Sequence, residues 1–132
     1  MKTSLHVAAL GGDGVGPEVV AGATRVLEAT AERFGIALRV DTALVGGVAI
    51  DAVGKPLPDE TLALAREADA VLLGAVGDKR FENRPHAERA EAGLGGLRRE
   101  LKLWSNLRPI RARKALAASK PTRTIRSIWP WS

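Results

Sequence analysis

The stretch from Leu5 to Phe34 constrains the fold more than any other part of the chain. Leu5-His6-Val7-Ala8-Ala9-Leu10 is a short, mostly apolar run that ends in glycines, the pattern of a buried strand in an α/β sheet. Gly16-Pro17-Glu18 then opens a helix. Proline fits the first helical position because its missing N–H has no partner there, and an acid is favoured at the positive end of the helix dipole. Val19, Ala23, Val26, Leu27, Thr30, Ala31 and Phe34 recur at spacings of three and four, predicting an apolar stripe, and Gly35 supplies the stop. Leu38, Val40, Thr42 and Leu44 alternate as a second strand, so the opening reads as β-α-β with a right-handed crossover. His6, alone inside the first strand, reads as a partly buried structural residue rather than a ligand or a catalytic group.

Further along, Gly46-Gly47 begins a short helical patch to Asp51, the segment from Gly54 to Pro58 is rich in turn formers, and Asp59 is placed to cap a helix through about Ala68. Ala70-Val71-Leu72-Leu73-Gly74 is apolar without alternation, which suits a parallel strand covered on both faces. Ala75-Val76-Gly77-Asp78 after it reads as a binding loop. A polar segment follows, and a periodic stretch runs from Glu91 to about Trp104. Gly93, Gly95 and Gly96 weaken it, each by about 1 kcal/mol relative to alanine. An irregular first turn is therefore expected, with Leu97 to Leu101 firmer. Asn106-Leu107-Arg108-Pro109 reads as extended, because proline disfavours the α region in the residue before it.

A chain of 132 residues supports one core. Its 45% hydrophobic and 27% charged residues are those of a globular protein rather than a disordered or fibrous one. With no cysteine, disulfide frameworks, thiolate nucleophiles and cysteine-ligated zinc are excluded, which fits a reducing cytoplasm. The opening apolar run is too short for a secretory core or a membrane span, so neither is expected. The net charge of +5 divides unevenly: every acidic residue lies at or before Glu100, while eight of the 20 basic residues follow it. The high pI thus belongs to the tail.

Two nucleotide-binding motifs fail on inspection. A dinucleotide fingerprint starting at Gly12 would need glycine where Pro17 stands, and Gly54-Lys55 lacks the glycine and hydroxyl residue of a phosphate-binding loop at Ala49 and Pro56. The whole segment Gly12-Asp13-Gly14-Val15-Gly16-Pro17-Glu18-Val19, however, resembles the opening motif of the β-decarboxylating dehydrogenases, the isocitrate/isopropylmalate dehydrogenase family. Further matches occur in order: Gly46-Gly47-Val48-Ala49-Ile50-Asp51, Pro56-Leu57-Pro58, Ala70 to Gly77, Glu91-Ala92-Gly93-Leu94, Leu97-Arg98 and Asn106-Leu107-Arg108-Pro109. They span residues 4 to about 110 and resemble the isopropylmalate branch.

The resemblance implies an α/β fold of the family's non-Rossmann kind, here a partial mixed sheet flanked by helices. It implies oxidative decarboxylation of 3-isopropylmalate to 4-methyl-2-oxopentanoate in leucine biosynthesis, with NAD and Mg2+ or Mn2+, by a cytoplasmic homodimer. Arg98 and Arg108 match arginines that bind the malate carboxylates, and Leu94 matches the leucine that touches the isopropyl group. Guanidinium suits that task because its planar fork pairs bidentately with carboxylate. Val15, Gly74, Ala75, Val76, Gly77 and Glu91 match positions that lie against the cofactor. Spacing alone puts Glu91, Leu94 and Arg98 on one helix face.

Three positions depart from the family pattern: Gly12 where proline is usual, Asp78 where the loop commonly has glycine, and Gly95 where another leucine is usual. The family's catalytic tyrosine has no counterpart, since the chain contains none, and neither the catalytic lysine nor the metal-binding aspartates are recognised. No complete catalytic set and no metal site is therefore expected, and the chain reads as an amino-terminal part, residues 1–110, inactive alone. Residues 111–132 read as a basic tail, translated out of register or lacking order. The rival readings are a non-catalytic module that binds nucleic acid through that tail, the less favoured of the two, and another β-decarboxylating dehydrogenase acting on isocitrate, tartrate or homoisocitrate.

Overall fold

A computed structural model describes residues 3–109. The expectations for residues 111–132 lie outside them. In chain order the elements are β1 (Ser4–Gly12), α1 (Gly16–Phe34), β2 (Ala37–Ala43), α2 (Gly47–Val53), α3 (Asp59–Glu67), β3 (Ala70–Ala75) and α4 (Ala92–Glu100), with single 3-10 turns at Lys79–Phe81 and His86–Glu88. No helix among the described residues is long and apolar enough to cross a membrane.

β1 is the central strand of a three-stranded sheet in the order β2-β1-β3. Both pairings are parallel, in a register that sets Val7 against Val40 and Ala70, and Leu10 against Ala43 and Leu73. The sheet is thus wholly parallel among the described residues, where a mixed sheet was expected; the antiparallel strands of a mixed sheet find no counterpart in the three strands seen. Centrality explains why four consecutive residues, Val7 to Leu10, are buried: helices cover both faces of β1, so alternation has no place to appear. β3, also expected to be covered on both faces, is an edge strand and only half-buried.

The main core lies on the face shared by Leu10, Ala43, Val71 and Leu73, where Val45, Ala65 and Leu97 close over the sheet. α1 packs on the opposite face. It begins at Gly16 with Pro17 in its first turn and ends at Gly35, whose left-handed φ of 63° lets Gly35 and Ile36 donate backward to the last turn. Its expected stripe splits in two. Val20 and Ala31 are buried and Ala23 and Leu27 half-buried against the sheet, whereas Val19, Val26 and Phe34 face outward, Phe34 at 70% exposure. Three strands offer a contact only about one row of side chains wide, so the apolar residues on the helix flank remain uncovered. Val26 and Phe34, with Gly22, Arg25, Ala29, Thr30 and Arg33, line a shallow hollow.

Elsewhere local rules yield to neighbours. Asp59 is the first residue of α3, not its cap, and its carboxylate accepts from Lys55 Nζ at 3.1 Å. His6 takes the structural role expected of it, with Nε2 2.8 Å from Asp41, which also pairs with Arg39. The α4 helix is regular through Gly93 to Gly96 and stops at Glu100, short of Trp104, where Lys102 adopts φ 55° and Leu103 N–H donates to the Arg98 carbonyl. The glycines that lower its propensity serve close packing. A Cβ at Gly93 would stand 2.5 Å from the Pro56 carbonyl oxygen and one at Gly96 2.9 Å from Leu57 Cδ2, whereas a Cβ at Gly95 would meet nothing within 4 Å. Proline cannot stand at Gly12, whose φ is +74°, far from proline's fixed value of about −65°.

Two outcomes follow from this packing. Gly95→Ala should stabilise the chain by up to about 1 kcal/mol through helix propensity, while Gly93→Ala, the same substitution two residues away, should destabilise it because the Pro56 backbone must move; urea titrations of both variants compare them. The open edge of β3 and the outward Val26 and Phe34 should cause self-association that rises with concentration. Sedimentation of Val26→Glu/Phe34→Glu should show a smaller weight-average mass than the parent chain at equal concentration.

Candidate functional site

The carboxyl ends of parallel strands are where open α/β sheets bind ligands, because the chain leaves each strand there as a loop with free backbone groups. Here β1 ends in the turn Gly12 to Gly16, β3 in the loop Gly74 to Gly77, and β2 leads through Val45 and Gly46 into α2. The first two lie backbone against backbone. A Cβ at Gly12 would overlap the Ala75 carbonyl oxygen, one at Gly16 the Gly11 carbonyl oxygen, and one at Gly74 the same oxygen, so side chains are excluded from this junction. Asp13 N–H donates to the Ala75 carbonyl at 2.6 Å.

The Asp13 side chain ties all three strand ends together. It is 4% exposed, and its carboxylate accepts from Gly47 N–H at 3.0 Å, Val48 N–H at 2.9 Å and Gly77 N–H at 2.9 Å. Gly46 and Gly47 have no side chain because Asp13 occupies that space: a Cβ at Gly46 would come 2.5 Å from Oδ2. The sequence reading took Asp13 only as part of a turn motif. Its signal was an acid placed among glycines at a strand end, which by itself is also the signature of an ordinary turn.

Of the residues singled out from the sequence, Val15, the Gly74 to Gly77 loop and Glu91 stand at this junction. Val15 is exposed at the start of α1, and Gly74, Ala75, Val76 and Gly77 form the loop beyond β3. Glu91, just before α4, reaches that loop: its Oε1 lies 3.4 Å from where a Gly77 Cβ would be. Leu94 is partly exposed one turn further along. Arg98 is half-buried, and among the described residues its guanidinium has neither a hydrogen bond nor an ion pair. Arg108 lies exposed on the irregular segment after α4, likewise without a described partner. The structure brings Glu91 to the Gly77 loop, and no hydrogen bond or ion pair links Arg108 to it. A hollow of about 470 Å³ beside α4 is lined by Leu57, Gly95, Gly96, Arg99 and His86 among others, not by Leu94 or Arg98.

A second feature was missed in the sequence. Asp78 has the extended φ of −143°, so a side chain is tolerated where glycine was usual, and it accepts from Arg80 N–H at 2.9 Å. The Arg80 guanidinium also bonds Asp78 Oδ2 and Asp51 Oδ2, each at 2.7 Å, fastening the turn to α2. Arg80 and Arg84 flank the buried ring of Phe81 at 5.1 and 4.7 Å. The bond from Arg80 holds the Asp78 carboxyl below its ordinary range, and bonds from His6 and then Arg39 do the same for Asp41.

The family model described as isocitrate/isopropylmalate dehydrogenase matches residues 6–128, running on past residue 110. A 3-isopropylmalate dehydrogenase of Nitratidesulfovibrio vulgaris is 51% identical over 105 residues, 80% of this chain and 29% of that protein. One from Pectobacterium atrosepticum is 49% identical over 125 residues, 94% of this chain and 34% of that protein. The chain thus spans about a third of the length of these relatives. Among solved structures, an apo β-decarboxylating dehydrogenase from Thermococcus kodakarensis superposes with a TM-score of 0.61 at 35% identity, covering 76% of this chain and 27% of that one.

Because Asp41 and Asp78 have folded-state values below their unfolded ones, their contribution is present above the ordinary carboxylate range and is lost as pH falls through the depressed values. Resistance to urea should therefore decline below about pH 4, and Asp78→Asn should show a shallower acid decline than the parent chain in the same titration.

Proposed function

The chain belongs to the isocitrate/isopropylmalate dehydrogenase family, and on that premise we propose that it carries part of the substrate and cofactor site of a 3-isopropylmalate dehydrogenase. The reaction oxidises the secondary alcohol of 3-isopropylmalate to a ketone, with NAD accepting the hydride, and the β-keto acid then loses carbon dioxide. The observation that carries this reading is Arg98: a half-buried guanidinium without a carboxylate partner among the described residues, one turn from Leu94 on the helix that begins at the Gly77 loop. A cation drawn partly out of water and left unpaired is a ready partner for a carboxylate of the substrate. Arg98 and Arg108 hold the malate carboxylates, and Leu94 packs against the isopropyl group.

Val15, the loop Gly74 to Gly77 and Glu91 hold the dinucleotide. What supports this is placement: the turn before Gly16 and the loop Gly74 to Gly77 lie together at the carboxyl ends of β1 and β3, and Glu91 stands beside Gly77. A divalent cation is a different matter. Among the described residues no three histidine, cysteine, aspartate or glutamate side chains gather to hold one, so they do not fit an Mg2+ or Mn2+ site. The intact enzyme is a cytoplasmic homodimer of leucine biosynthesis in this reading, with the rest of the site outside these residues.

A second reading concerns the substrate. Gly95, where the isopropylmalate branch usually has leucine, brings no side chain to select an isopropyl group, which leaves isocitrate, tartrate or homoisocitrate as the alternative acid.

Isothermal titration of this chain with 3-isopropylmalate, isocitrate and homoisocitrate tests both. Arg98→Ala should weaken binding of the preferred acid by about 10- to 100-fold, the worth of a charge-assisted pair, and Arg98→Lys should restore only part of it. Equal affinity of parent and Arg98→Ala would remove the substrate reading.

A further inference from the structure

Resting on the cofactor reading above, we propose that Asp13 is a positioning residue that fixes the backbone of the Gly74 to Gly77 loop for a nicotinamide dinucleotide. The argument begins with donors and acceptors. Three backbone N–H groups, from Gly47, Val48 and Gly77, converge on two carboxylate oxygens, with Oδ2 taking two of them. Only an ionised carboxylate satisfies that set, because it accepts at both oxygens and donates nowhere. An asparagine of the same shape offers one oxygen, and its NH2 would face an amide N–H.

The same residue is joined to the loop a second time, through its own N–H and the Ala75 carbonyl. Asp13 thus grips the loop at Ala75 and at Gly77, on either side of Val76, and anchors that grip to α2. Gly46 and Gly47 leave the space that the carboxylate fills, since a Cβ at Gly46 would stand 2.5 Å from one of its oxygens and a Cβ at Gly47 3.1 Å from the other. Glu91 also stands beside Gly77, its Oε1 3.4 Å from where a Cβ there would be. Asp13 is nearly sealed from solvent and acts on a ligand only through the loop it holds.

Nuclear magnetic resonance on the full 132-residue chain tests this directly. In the parent chain, scalar couplings across hydrogen bonds should link the amide nitrogens of Gly47, Val48 and Gly77 to the Asp13 carboxylate carbon. Titration with NAD should shift Gly77 together with Gly47 and Val48. Asp13→Asn should raise amide exchange at those three residues at least about tenfold, with Val7 to Leu10 keeping theirs, and should weaken NAD binding by about tenfold or more. A merely structural role would raise exchange in β1 as well. Equal NAD affinity in the two proteins overturns the proposal and leaves the cofactor reading standing; no NAD binding by the parent chain overturns both. Should Asp13→Asn fail to fold, the couplings and the joint shift in the parent chain decide, and their absence overturns the proposal.

Discussion

A carboxylate sealed from water among three backbone amides is the point on which the rest of this structure turns. Removing an ion from water costs several kcal/mol, and among the described residues no cation pairs with Asp13 to offset it. The compensation comes from three charge-assisted hydrogen bonds, each worth about 1.5–3 kcal/mol. Those bonds reach into two separate segments, the start of α2 at Gly47 and Val48 and the loop at Gly77, that approach Asp13 only when β1, β2 and β3 are in register. The local satisfaction of one side chain therefore reports on the whole sheet. The glycines around it follow from the same constraint, since at Gly12, Gly16, Gly46 and Gly74 a side chain would strike either backbone or Asp13 itself.

The surface ion pairs have a different weight. Arg80 makes more polar contacts than Asp13, with bonds to Asp51 and Asp78 and a ring contact to Phe81. Its guanidinium is nevertheless 61% exposed, and pairs in such positions contribute little after solvent screening. Their effect is to orient the turn beyond the Gly77 loop, while burial of Phe81 beneath two guanidinium groups holds that turn down. α4 is placed by a third means, close approach, because Gly93 and Gly96 let it settle on Pro56 and Leu57.

Much of the framework is legible in the residues. The apolar run before Gly11, the proline inside the start of α1, the glycine after its end and the apolar run of β3 each fix a local conformation, and the three elements they mark form where the pattern places them. The site is legible by resemblance rather than by spacing, and the half-buried state of Arg98 could not have been read from either. Errors arise where one pattern admits two uses. The apolar residues of α1 all fit a helical period, yet only the Val20 to Ala31 row meets a three-stranded sheet. Glycine in α4 looks like a weakness of the helix and is a condition of its packing. Asp59 has the chemistry of a cap, and Lys55 four residues earlier claims its carboxylate instead.

By itself the amino-acid order determined which segments are the strands and the main helices, though not where α4 stops, because backbone preferences and the spacing of apolar residues act within a few positions. It also carried the family likeness, which is a property of motifs in order. Only the tertiary structure decided what Asp13 does, which glycines are indispensable and which flank of α1 is covered. Each of those depends on what stands across a gap between residues more than thirty positions apart, such as Asp13 and Gly77, and hydrogen bonding and steric exclusion over that gap exist only after the sheet has formed.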